Sequence, residues 1–115
     1  MRNELHSLQL ARRFNGFFEA VTHLDRPMPD LVASAFARHL AGLAPGELPA
    51  VLRPNWEDIL ARYLGLRDDV CPTAADARRL ARLSAEDVDR LLETLSSIRQ
   101  EFNTRRTATW PYSSA

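Results

Sequence analysis

The stretch RPNWEDILARYLGLRDDVCP, residues 53–72, decides the fold. Trp56, Ile59, Leu60, Tyr63 and Leu64 recur at i, i+3, i+4, i+7 and i+8, which gathers them on one side of an α-helix. Asn55 suits the N-cap, and Asp58 three residues later suits a first turn where the helix dipole favours an acid. Gly65 stands where a left-handed residue would stop the helix, with Leu66 placed to fold back onto the last turn. The spacing therefore predicts a helix over 55–64 with a glycine C-cap.

The same period extends in both directions. Leu10, Phe14, Phe17 and Val21 step at three to four residues within 4–23, and Leu8, Ala11 and Phe18 widen that stripe. Gly16 weakens this helix by roughly 1 kcal/mol relative to Ala but permits close packing. DRPMPD (25–30) breaks the chain, because a proline disfavours helix in the residue before it. A second helix is expected over 29–42, with Val32, Phe36, Leu40 and Leu43 inward, followed by a proline-pinned turn through 43–54. Thr73 with Asp76, and Ser84 with Asp87, are cap pairs predicting helices over 73–83 and 84–103. Val88, Leu91, Leu92, Leu95, Ile98 and Phe102 face inward on the last. No segment shows the alternation and β-branched enrichment of a strand. The expectation is all-α: a compact bundle of about five short helices in one domain, 1–103, with a short extended C-terminal tail, 104–115.

Composition fits that class. The 115 residues are 45% hydrophobic and 26% charged with zero formal net charge, the balance of a globular domain. Residues 1–66 hold seven Arg and seven acids, and residues 67–115 hold eight of each, so no half has the basic footprint of a phosphate binder. All fifteen basic residues are Arg, which reads as the coding bias of a GC-rich bacterial genome more than as selection for bidentate contacts. One cysteine, Cys71, excludes an internal disulfide framework and fits a reducing compartment. No apolar run reaches the roughly 20 residues that span a bilayer, and MRNELHSLQLARRF carries charge throughout instead of a signal-peptide core. A cytoplasmic location, with no membrane partner, is expected.

A displacement of forty residues aligns ARHLAGLAPGELPAVL (37–52) with ARRLARLSAEDVDRLL (77–92). Helical-hairpin repeats have periods of this order. Two copies with unmatched flanks read better as one packing solution used twice: end a helix, cap the next, and bury leucine across the corner.

Catalytic and metal chemistry find little support. His6, His23 and His39 lie sixteen or seventeen residues apart without HxxxH, CxxC or ExxH spacing, so neither metal nor cofactor is expected. Cys71 precedes Pro72, and Asp68 and Asp69 nearby would raise a thiol pKa, not lower it. Phosphate-binding glycine loops and a nucleophile elbow are absent from the sequence. A small helical enzyme built from scattered Arg and Glu stays as a second alternative.

Within the opening stretch, ILARYLGLRDDV (59–70) resembles the first half of a bacterial helix-turn-helix, whose glycine marks the corner before a recognition helix. That resemblance implies a DNA-binding regulator, with Arg78, Arg79 and Arg82 as the residues available to nucleic acid. The second half departs from the pattern: Asp68 and Asp69 would repel phosphate, and Pro72 interrupts the helix. The leading expectation is a non-catalytic protein acting through contacts with another protein or a second copy, as an adaptor, accessory subunit, chaperone or inhibitor. Its candidate contacts are Phe18, on the broad apolar stripe of the first helix, and Trp110 and Tyr112, which flank Pro111 in the tail. Two aromatic rings on a stiff X-Pro-X unit offer large area at low ordering entropy.

Overall fold

A computed structural model describes residues 2–22, 28–67 and 70–108, with side chains over 8–22, 28–67 and 70–104. Five helices follow in order: α1 (Arg2–Val21), α2 (Pro29–His39), α3 (Arg53–Leu64), α4 (Ala74–Ala77) and α5 (Ala85–Ala108). Two 3-10 segments, Pro45–Glu47 and Arg78–Arg82, lie between them. Among the described residues there is no strand, and the fold is the expected all-α bundle.

Side-chain caps explain where α4 and α5 begin. The Thr73 hydroxyl accepts from the Asp76 amide at 3.1 Å while Asp76 accepts from the Thr73 amide at 2.9 Å, a reciprocal capping box that opens α4. The Ser84 hydroxyl accepts from the Asp87 amide at 3.1 Å and opens α5. Gly65 takes φ 67°, in the left-handed region, and the amides of Gly65 and Leu66 both reach back to the Leu60 carbonyl. The glycine C-cap stands as expected.

Several boundaries differ from the sequence reading: α1 spans 2–21 and not 4–23, α2 ends at His39 and not at 42, and three further differences have a local cause. The helix α3 starts at Arg53, not after Asn55, because Pro54 lies in the first turn, where its missing N–H needs no partner. Asp58 then sits beyond that turn and pairs with Arg62 at 3.6 Å on the surface. The expected helix over 73–83 is α-helical for one turn only and tightens to 3-10 through Arg82. With the Ser84 cap two residues on, i→i+3 bonds close the segment in fewer residues. The third difference is at the C-terminus: α5 runs to Ala108, not 103, so the segment from 104 to 108 is helical and not extended. Thr104 and Thr107 cost only tenths of a kcal/mol each in helix propensity, too little to stop an established helix.

The core is a cluster of rings. Trp56 stacks on Phe36 at 5.7 Å between centroids and meets Phe14 edge-on at 5.8 Å. Phe14 also contacts Phe102 at 5.7 Å, so one aromatic group joins α1, α2, α3 and α5. The Trp56 indole N–H donates to the Leu43 carbonyl at 2.9 Å, which satisfies its one polar atom inside the core. Trp56, Phe17, Tyr63, Leu91 and Leu95 are all buried, as the periodicity requires.

The forty-residue similarity does not mark two copies of one unit. Residues 37–52 comprise a helix end, a 3-10 turn and a bend, whereas 77–92 comprise a 3-10 segment and the start of a long helix. Leu40 and Leu80 are buried alike, but Val51 is 58% exposed and its counterpart Leu91 is buried.

Candidate interaction surface

Helices α1 and α5 run antiparallel. Phe14 meets Phe102, and four residues further along α1 the Arg99 guanidinium lies over the Phe18 ring, 4.3 Å from its centroid. In a parallel pair Phe18 would stand level with residue 106, about 10 Å from Arg99, whose side chain leans toward its own helix N-terminus. Helix α2 is antiparallel to α1 as well: Phe17 contacts Phe36, and Arg13 reaches the carbonyls at the end of α2.

Phe18 is therefore a core residue and not the exposed contact expected of it. It is 7% exposed, packed edge-on against Phe17 at 5.2 Å and covered by Arg99. The broad stripe of α1 arises because the helix is flanked on two sides by α2 and α5. Trp110 and Tyr112 lie outside the described residues, as do His23, Asp68 and Asp69. His6 lies within α1, among the residues whose side chains are not described.

The three candidate nucleic-acid residues sit together on the 3-10 segment Arg78–Arg82, but not with one role. Arg79 donates from Nη1 to the Leu64 carbonyl at 2.6 Å, capping the C-terminus of α3. Arg78 and Arg82 are exposed. The nearby acids have other work, since Asp76 closes its capping box and Glu86 pairs with Arg90 at 2.8 Å. Among the described residues this stretch does not show a helix-turn-helix: nine positions, 65–73, lie between α3 and α4, and α4 is four residues long before it passes into the 3-10 segment Arg78–Arg82. A helix-turn-helix needs a turn of three or four residues and a recognition helix long enough to lie in the major groove.

Arg79 belongs to a set that sequence reasoning missed. Arg13 donates from Nε to the His39 carbonyl at 2.9 Å and from Nη2 to the Ala41 carbonyl at 2.6 Å, closing the end of α2. Arg53 holds the Pro45–Glu47 turn, donating from Nε to the Leu48 carbonyl at 2.9 Å and from Nη2 to the Gly46 carbonyl at 3.4 Å. His39 packs its ring against the bare backbone of Gly16, where an added Cβ would stand 2.8 Å from Nδ1. The close approach expected of Gly16 is thus real.

One surface depression lies on α5. Ser96, Arg99, Gln100, Asn103 and Thr104 line about 260 Å³ beside the Arg99–Phe18 pair. Their i, i+3, i+4, i+7, i+8 spacing is legible in the sequence as a polar stripe beside the apolar one. These side chains supply hydrogen-bond donors and acceptors plus one cation. Among the described residues, no three His, Cys, Asp or Glu come together in a way that would hold a metal ion. Cys71 is exposed, with Sγ 3.9 Å from the Pro72 carbonyl, and no described helix is long and apolar enough to cross a membrane. Comparison with protein-family models, curated proteins and solved structures finds no match to this chain.

Proposed function

We propose that this chain is a non-catalytic helical protein that acts through protein–protein contacts, as an adaptor, accessory subunit, chaperone or inhibitor. Its partner is another protein or a second copy of itself. The observation that carries the reading is the polar groove of α5, bounded by the Arg99–Phe18 pair and running toward the helix end. Hydrogen-bonding side chains around a guanidinium placed over a ring suit the rim of a protein interface. The helix ends at Ala108, four residues beyond the groove's last member, Thr104, and in the sequence Trp110 and Tyr112 follow six and eight residues beyond it. The cytoplasmic assignment belongs to this proposal and is supported by the single, exposed cysteine.

The test is site-specific photo-crosslinking in the native host. Probes replace Gln100 and Thr104 in the groove, and Asp58 on α3 serves as a distant control. A discrete crosslinked product from both groove positions and none from Asp58 is expected. Crosslinks at Asp58 alone, or at none of the three with the chain fully expressed, would refute the assignment of this surface.

A further inference from the structure

We infer that the occupant of the α5 groove is a second copy of this chain, its α5 antiparallel across a two-fold axis at Ser96, with Glu93 of each copy against Arg99 of the other. The inference rests on the reading of that groove as a contact surface and names its partner.

The outer face of α5 is divided by charge. At about 100° per residue, Asp89, Glu93, Ser96, Arg99, Gln100 and Asn103 fall within an arc of about 120°. Asp89, Glu93, Gln100 and Asn103 are exposed, and Ser96 and Arg99 are half-buried. Both acids of this arc precede Ser96, and its cation follows. The ion pairs of the described residues, Asp58–Arg62 and Glu86–Arg90, leave Asp89, Glu93 and Arg99 without an opposite charge. The Phe18 ring holds the Arg99 guanidinium 4.3 Å from its centroid without neutralising it.

A second copy supplies the missing charges in the required order. Reversing the helix about Ser96 sets Glu93 against Arg99 twice, Asp89 against Asn103 and Leu92 against Gln100. Glu93 and Arg99 each lie three residues, about 4.5 Å of helix, from the axis. An in-register parallel pair would set each acid against its own copy. An acidic peptide, to which Arg99 alone points, would meet Asp89 and Glu93 on the other half of the stripe. Ser96 on the axis is small enough to let two helices approach, and the half-buried Leu92 of each copy adds apolar surface beside it. The contact is isologous, the same patch meeting itself. One helix pair buries less than the roughly 800 Å² per partner of a standard interface, so a dissociation constant of about 10–100 μM is expected.

Sedimentation equilibrium of the purified full chain over about 10–500 μM, at about 50 mM salt, tests it. A reversible dimer is expected, weakened about tenfold by Glu93→Arg and about tenfold by Arg99→Glu, because the two-fold counts each reversal twice. Mixing the two variants should restore dimerisation to within about threefold of the native chain, since only the mixed pair sets opposite charges at both contacts. Arg99→Glu also uncovers Phe18, so its fold is checked by circular dichroism. A second readout does not depend on that variant: Ser96→Cys in a Cys71→Ser background should form a disulfide-linked dimer under mild oxidation at least about tenfold faster than Ser97→Cys, which lies off the axis. A chain monomeric throughout, a dimer indifferent to Glu93→Arg, or equal crosslinking from Ser96→Cys and Ser97→Cys would overturn the inference. A monomer whose Gln100 and Thr104 probes still crosslink to a different protein in the host overturns the second copy alone, whereas a monomer without such crosslinks overturns the surface as well.

Discussion

Gly65→Ala probes two features that meet at one atom. The glycine sits at φ 67°, where a residue with a Cβ is strained, and an added Cβ would stand 2.7 Å from Nη1 of Arg79. The left-handed conformation costs alanine roughly 1 kcal/mol once the stiffer unfolded chain is subtracted. The second cost is loss of the bond from Arg79 to the Leu64 carbonyl, 2.6 Å in the native chain. A charge-assisted bond of this kind contributes about 1.5–3 kcal/mol when shielded, and the exposure of Arg79 lowers that to about 1 kcal/mol. Gly65→Ala should therefore destabilise by about 2 kcal/mol and Arg79→Ala by about 1 kcal/mol. The double variant should lose about 2 kcal/mol, not 3, because alanine at 65 finds the guanidinium already gone. Urea unfolding followed by far-UV circular dichroism measures all four proteins, with equal m-values as the check that the unfolded states match. Losses that add within about 0.3 kcal/mol would show that the glycine and the arginine do not share the site, and the reasoning would fail.

The remaining predictions concern the core, the close helix approach, the arginines and the nucleic-acid alternative. Leu95→Ala, at a fully buried position, should cost about 2–5 kcal/mol, and a loss under about 1 kcal/mol would remove that face of α5 from the core. Gly16→Ala should destabilise the native chain but stabilise a His39→Ala background by up to about 1 kcal/mol, since helix propensity then acts unopposed. Equal effects in the two backgrounds would contradict the packing of His39 on Gly16. Arg13→Lys should cost about 1 kcal/mol or more while the exposed Arg12→Lys stays within about 0.5 kcal/mol, both read from chemical unfolding. Duplex DNA should show no retardation at about micromolar protein and about 150 mM salt. A footprint lost on Arg78→Ala would promote the regulator reading.

What the sequence discloses about this fold follows from the range of each interaction. The Thr73–Asp76 and Ser84–Asp87 caps and the Gly65 stop were legible because donor and acceptor lie within a few residues. The aromatic core was legible because Phe14, Phe17, Trp56 and Phe102 each fall on a helical period. Asn55 misled because two signals competed, and Pro54 in the first turn prevailed over the better capping side chain. The end of α5 lies beyond the expected 103 because Thr104 and Thr107 are poor helix formers that weaken a helix without breaking it. For the candidate surface, Phe18 was misplaced because nothing local announces that Arg99, eighty-one residues away, will cover it.

The arginine clasps were invisible for a deeper reason. Every residue carries a carbonyl, so an acceptor at His39, Ala41 or Leu64 leaves no mark in the sequence. Their donors stand 26, 28 and 15 residues away. The last turn of a helix presents carbonyls without intrahelical partners, and a short-helix bundle has many such ends for its size. In this chain α2 and α3 are closed by arginines reaching from other elements, and the Pro45–Glu47 turn is held by the first residue of α3. Arg13 and Arg53 each span two carbonyls two residues apart, which the forked guanidinium does with separate nitrogens. A lysine ammonium is a single point at the end of a flexible stem and does not bridge such a pair with the same geometry. The all-arginine composition, whatever its genomic origin, thus has structural use at these positions. Each clasp ties the end of one element to the body of another, so the helix ends are fixed by tertiary contacts as much as by their own caps.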